Sequence, residues 1–254
     1  MTEWNPEQYI KFEKERTQPS VDLIGRVEIS PKSILDIGCG PGNSTHCLSQ
    51  SFPSAKILGI DSSESMLEKA QKTYPSLDFQ KCIVPDELEN LGKFDLIFSN
   101  ACLHWIPEHT KLLPKIIEKL NDGGVLAVQM PLVQKAEFYK EIYALAEGER
   151  WKKLKSVNIF HNLSSEEYYD ILTDVGCDVT LWETAYYHRV ASHDAVIAWY
   201  KGSGLRAYLE FLEDSEKEEF LRDLSEEIKK SFTDRSDGSI LLKMPRMFLT
   251  ATKR

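Results

Sequence analysis

The chain has 254 residues, 42% of them hydrophobic and 28% charged, and a formal net charge of -9. That is the make-up of an ordinary globular protein with a sizeable core, and its acidic balance excludes a general nucleic-acid binder, which needs a basic face. Five cysteines, Cys39, Cys47, Cys82, Cys102 and Cys177, form no Cys-x-x-Cys pair and no Cys/His cluster at zinc spacing, so neither a disulfide framework nor a metal site is expected.

The N-terminal MTEWNPEQYIKFEKER is too polar for a signal peptide. No stretch approaches the roughly 18 to 20 apolar residues of a membrane span, so a cytoplasmic protein without a membrane partner is expected. Residues 1–30 read as an N-terminal helical cap. SILDI at 33–37 is a buried strand, 43–50 the helix after it, and AKILGI at 55–60 a second strand closing on Asp61. Ser62-Ser63-Glu64-Ser65 starts a helix through about residue 72, because serines cap the orphan amides and Met66, Leu67 and Ala70 share one face. A weaker strand follows at 77–84 and a strong one, FDLIFS, at 94–99. Next come a helix at 110–120, stopped by Asn121-Asp122-Gly123-Gly124, and a fifth strand at 125–130.

Beyond Pro131 the alternation loosens. Residues 137–150 read as helical, Ser164-Ser165-Glu166-Glu167 as a capping box for a helix through about 175, and 178–190 as a long strand. Residues 192–232 are largely helical, and MFLTAT at 247–252 is a last strand. Apolar strands alternating with helices predict a parallel sheet covered on both faces, with ligands at the strand carboxyl ends. A single domain over 1–254 is expected, in which 192–235 is a helical insertion forming part of a lid.

The stretch ILDIGCGPGNST places Asp36-x-Gly38-x-Gly40-x-Gly42 between a strand and a helix, where backbone approaches a ligand closely. A P-loop needs Lys-Ser or Lys-Thr after the last glycine, but Asn43-Ser44 stands there. The spacing is also not the G-x-G-x-x-G of pyrophosphate-binding dinucleotide sites, although Asp61, some twenty residues on, suits the ribose hydroxyls of either NAD or S-adenosylmethionine.

With Asp61, D-x-G-x-G-x-G resembles the class I S-adenosylmethionine-dependent methyltransferases. The match narrows along the chain. WNPEQYIKFEKERTQP, GIDSSESML, FDLIFSNACLHWIPEH, GGVLAVQMP, YYDILTDVGCDVTLWETAYYH, GSGLRAYL and MPRMF look like the trans-aconitate 2-methyltransferase family, in order and almost end to end. Most specific are Trp4-Asn5-Pro6, Tyr186-Tyr187-His188 and Pro245-Arg246. The resemblance implies a Rossmann-like class I methyltransferase with a mostly parallel seven-stranded sheet, helices on both faces and a helical substrate cap. It also implies methyl transfer from S-adenosylmethionine to a carboxylate of trans-aconitate by a monomer or weak dimer.

Carried onto this sequence, the resemblance assigns the cofactor to Asp36, Gly38, Gly40, Gly42, Asn43, Asp61, Ser62, Met66, Cys82, Ile83 and Asn100. The acceptor falls to Arg16, Trp105, Tyr186, His188, Arg206 and Arg246. A carboxylate with an ordinary pKa near 4 is already ionised at pH 7, so no general base is needed, and His104 and Trp105 are expected to position the reactants. Arginine forks suit a polycarboxylate, and strand alternation sends Tyr186 and His188 to one face. One departure stands out: Ile83 occupies the place where the family commonly has an acid for the adenine amino group, leaving backbone carbonyls, Asp86 or Glu87 to that contact. Another small-acid carboxyl methyltransferase, or a non-catalytic S-adenosylmethionine-binding protein, would share the turn and Asp61.

Overall fold

A computed structural model of the protein describes residues 13–254. Trp4-Asn5-Pro6 and the side chain of Arg16 lie outside the described residues. Helix α1 (Glu13–Ile24) brings Ser20, Leu23 and Ile24 into the core. Strand β1 (Ser33–Ile37) then enters the centre of a sheet, where continuous burial on both faces explains its unbroken apolar run. Helix α2 (Asn43–Ser51), β2 (Lys56–Asp61), α3 (Glu64–Thr73) and β3 (Asp78–Lys81) follow. Ser63 caps α3, its hydroxyl accepting the Met66 N–H.

Next come β4 (Phe94–Asn100), α4 (His109–Glu118) and β5 (Leu120–Pro131). The seven-stranded sheet has the order β3-β2-β1-β4-β5-β7-β6, in which β6 is Cys177–Val190 and β7 is Ile240–Lys253. Strands β1 to β5 pair in parallel, with Asp36 opposite Gly59 and Phe98, and Asn100 opposite Gln129. The sheet as a whole is mixed and mostly parallel. Because β1 to β5 all run the same way, the loops after β1, β2 and β4 come together at the carboxyl ends.

Two expected boundaries move. Asn121-Asp122-Gly123-Gly124 is not the end of a helix but the start of β5. Pairing shifts between Phe94 opposite Leu120 and Leu96 opposite Val125, and Gly123 takes φ +72° in the irregularity. The last strand begins at Ile240, well before the expected Met247, because Pro245 does not end it. Strand β3 is shorter than expected: past Lys81 the chain turns off, with the Cys82 N–H donating to the Asp61 carbonyl at 3.0 Å.

The chain forms two compact units. One holds the described residues up to Pro131 together with His161–Glu183 and Met247–Arg254, and includes α6 (Ser165–Asp174), whose Ser164/Glu167 capping box is present. The other holds Leu132–Phe160 and Thr184–Arg246. It contains α5 (Glu137–Glu147), α7 (His193–Lys201), α8 (Leu205–Phe211) and α9 (Asp214–Ser231). Its core is aromatic: Phe138 stacks on Tyr200 with centroids 3.7 Å apart, and Tyr139 meets Phe160 edge-on at 5.0 Å. Trp151 meets Phe220 edge-on and donates its indole N–H to Asp223 at 2.9 Å, tying the α5 side of this core to α9.

Candidate functional site: a glycine turn between two acids

In the turn after β1, the N–H groups of Gly38 and Cys39 both donate to the Ile60 carbonyl, at 2.8 and 3.0 Å. Gly38, Gly40 and Gly42 have φ of +74°, +53° and +94°, the left-handed region that costs an L side chain about 1–2 kcal/mol. Their surroundings separate them. A β-carbon on Gly38 would lie 2.2 Å from the Cys102 sulfur and one on Gly42 2.8 Å from Tyr74, whereas one on Gly40 would meet nothing within 4 Å. The outer two glycines let the turn pack; the middle one presents bare backbone to open space.

Two carboxylates flank it. Asp36 is fully buried, and its Oδ2 accepts from Ser44 Oγ at 2.6 Å and Thr45 Oγ1 at 2.7 Å, both on the first turn of α2. Its Oδ1 is buried with no hydrogen-bond partner. Burial drives the carboxyl up from 3.8 to about 6; the two hydroxyls oppose this, and Asp61 adds to it. Asp61 accepts the Gly40 N–H at Oδ2 and the Ser63 N–H at Oδ1, each at 2.9 Å, so this side chain ties the glycine turn to the cap of α3. Burial raises its pKa too, against the backbone N–H groups.

At the end of β4, Asn100 leads into Ala101, which has φ +54° and donates its N–H to the Gln129 carbonyl at 2.9 Å. A left-handed alanine at a strand's carboxyl end is held there by its surroundings, as strained backbone at ligand sites commonly is. The 3₁₀ turn Leu103–Trp105 follows. His104 is buried and its ring lies 4.7 Å from that of Trp105. The turn is pinned from below: the imidazole of His109 contacts the Leu103 carbonyl through Nε2 at 2.9 Å and the Tyr168 hydroxyl through Nδ1 at 2.6 Å. A carbonyl only accepts, so Nε2 carries the proton and Nδ1 accepts from Tyr168. Burial lowers the His109 pKa and raises that of Tyr168, which keeps both neutral. Burial likewise pushes the Cys102 thiol far up, so it is no thiolate nucleophile.

After β3, Cys82 is buried and Ile83 is 46% exposed. The Glu87 carboxylate accepts the Ile83 N–H at 2.7 Å, so of the acids weighed for adenine this one is occupied in holding its own loop. Ser62 is exposed, whereas Met66 is buried on the inner face of α3. Within the second unit, the Tyr186 and His188 rings are parallel with centroids 6.3 Å apart, while Tyr187 points out, as alternation along a strand requires. His188 stacks on Trp199 at 5.0 Å. Arg206 pairs with Glu210 one helical turn on, and Arg246 is buried on β7. Sequence reasoning passed over Gln129, a lone amide in an apolar strand run, and the His109–Tyr168 pair, which lies 59 positions apart. Among the described residues no His/Cys/Asp/Glu group could hold a metal ion, and no helix is long and apolar enough to cross a membrane.

This sheet order, with a glycine turn after β1 and an acid closing β2, defines a class I methyltransferase. The chain belongs to the methyltransferase-domain family, whose model matches residues 30–176. It is 38% identical over 255 residues to the trans-aconitate 2-methyltransferase of Escherichia coli K12 / DH10B, covering 100% of this chain and 99% of that one. The same identity and coverage hold for the enzyme of that name from Escherichia coli O157:H7. Among solved structures, the YcgJ protein from Bacillus subtilis matches with TM-score 0.59 and 16% identity, covering 93% of this chain and 99% of that one. The Haemonchus contortus phosphoethanolamine N-methyltransferase 2 in complex with S-adenosylmethionine matches with TM-score 0.56 and 17% identity, covering 93% and 52%. The residues fit such a cofactor: bare backbone at Gly40, the unpartnered Asp36 Oδ1 as an acceptor for a cation, and a second, half-buried carboxylate at Asp61.

Proposed function

We propose that the protein is a cytoplasmic enzyme that transfers the methyl group of S-adenosylmethionine to a carboxylate of trans-aconitate, giving the monomethyl ester. The carrying observation is the 38% identity to trans-aconitate 2-methyltransferase along all of the chain. S-adenosylmethionine, when bound, supplies an electrophilic methyl on a sulfonium, which becomes the thioether of S-adenosylhomocysteine as the carboxylate oxygen takes the methyl. No proton moves, so the chain owes the reaction no general base.

What it supplies is binding, orientation and exclusion of water. Asp36 and Asn100 accept from the ammonium of the methionyl end, Asp61 from the ribose hydroxyls, and Gly38, Gly40, Gly42 and Asn43 present backbone. Ser62, Met66, Cys82 and Ile83 line the adenosine. His104 and Trp105 wall the reacting carboxylate, and Tyr186, His188, Arg16, Arg206 and Arg246 serve the remaining charges of the acceptor. Alignment of the reacting atoms accounts for up to roughly 7–11 kcal/mol of barrier reduction. The buried ε-tautomer of His109 fixes the Leu103 carbonyl and with it the turn that carries His104 and Trp105.

A panel of mono-, di- and tricarboxylic acids incubated with S-adenosylmethionine, with products identified by mass spectrometry, tests the reading. Trans-aconitate monomethyl ester is the expected main product, and preference for a monocarboxylate overturns it. Arg246→Ala should raise KM for trans-aconitate about tenfold to a hundredfold, the loss of hydrogen bonds to a charged group. S-adenosylhomocysteine affinity should hold, and an unchanged KM removes Arg246 from the acceptor site.

A further inference from the structure

We propose that Gln129, on β5, is an acceptor-binding residue: its amide Nε2 donates to a carboxylate of the acceptor other than the one that is methylated, and so favours polycarboxylates. The side chain is fully buried, and neither Nε2 nor Oε1 has a hydrogen-bond partner. A buried amide left unmatched at both atoms costs stability, so an apolar residue would be the choice for packing alone. Its place in the sheet says what it faces. Gln129 is the register partner of Asn100, whose Oδ1 is also buried and unpartnered. Asp36 pairs with Phe98 and with Gly59, so with a side-chain period of two, Asp61, Asp36, Asn100 and Gln129 all lie on one face at the carboxyl ends of β2, β1, β4 and β5.

Strand spacing decides between cofactor and acceptor. From Asp61 to Asn100 is two strand intervals, about 10 Å, and to Gln129 three, about 14 Å. An S-adenosylmethionine with its ribose at Asp61 reaches from the ribose hydroxyl to the ammonium through eight single bonds, about 10 Å when extended. It therefore ends at Asn100; its methyl is on the sulfur, four bonds and about 5 Å from that hydroxyl, so Gln129 lies past the ammonium and about 9 Å from the sulfur, within reach of the far carboxylate of a small polycarboxylate whose reacting oxygen meets the methyl. A neutral amide suits that place. It holds a carboxylate by a hydrogen bond without pairing its charge.

This inference rests on the proposed carboxyl methylation. The test measures wild type, Gln129→Leu and Gln129→Glu for KM toward trans-aconitate, S-adenosylhomocysteine affinity by calorimetry, and Tm without ligand. For Gln129→Leu, KM should rise roughly tenfold or more with cofactor affinity unchanged and Tm equal or higher, since an unmatched amide is gone. Gln129→Glu, which sets a carboxylate against the acceptor, should raise KM further. An unchanged KM in Gln129→Leu, or a weakened cofactor with KM unaltered, overturns the assignment. A lowered Tm with unchanged KM makes Gln129 a packing residue and also overturns it. A wild type that forms no methyl ester on any acid defeats the underlying reading instead, and the assignment falls with it.

Discussion

Asp36→Asn isolates the charge at the heart of the site. In the folded protein this carboxyl holds its proton up to about pH 6, against 3.8 ordinarily. Between those values the native state keeps a proton that the unfolded chain has released. Stability therefore falls as pH rises through that window, and at pH 7 the buried ion costs about 3 kcal/mol. Asparagine carries no such term. Its carbonyl can still accept from Ser44 and Thr45, while its amide N–H groups stand unmatched where Oδ1 was, at a cost of about 1–3 kcal/mol that does not depend on pH. Subtracting the urea unfolding free energies of the two proteins at pH 4 and pH 7 cancels the titrating groups that do not interact with Asp36. The variant should gain about 2 kcal/mol relative to wild type between those values, part of the full cost being already present at pH 4. Cofactor binding should change in the opposite sense, because the ammonium favours ionised Asp36: wild-type affinity for S-adenosylhomocysteine rises with pH through about 6, and in Asp36→Asn it is weaker and flat. A stability difference that is constant with pH would refute the burial argument, and a retained pH dependence of binding would remove Asp36 from the cofactor contact.

Two further outcomes follow from the same geometry. Gly38→Ala, which drives a methyl into Cys102 in addition to the left-handed strain, should lose well over 2 kcal/mol of stability. Gly40→Ala should lose only about 1–2 kcal/mol yet weaken cofactor binding, since its methyl projects into the open cradle; calorimetry on both variants makes the comparison. His109→Phe leaves the Leu103 carbonyl without its imidazole donor and should lower stability by about 1–3 kcal/mol, seen in urea unfolding.

The sheet and the cofactor turn were legible because both are local. SILDI and FDLIFS are apolar throughout since they are covered on both faces, and the glycines stand where backbone must bend. Asn121-Asp122-Gly123-Gly124 misled because its turn residues serve a strand irregularity, a matter of pairing with Phe94 that no local pattern records. Pro245 likewise reads as a strand boundary, yet β7 runs through it. Gln129 carries no local signal in VLAVQMP, since an unmatched amide is visible only once its surroundings are known. The tie from His109 to Tyr168 joins segments 59 positions apart, beyond any periodicity.

The order β5-β7-β6 has a consequence for biosynthesis. The strand made last lies between two made earlier, and Met247–Arg254 completes the same unit as β1. While the ribosome is still making α9, both β5 and β6 have an unpaired edge where β7 will enter, so the nascent chain carries a gap in its sheet until Ile240–Lys253 has been made. The cofactor-binding half, though encoded ahead of β7, becomes a closed structure only when β7 has emerged from the ribosome.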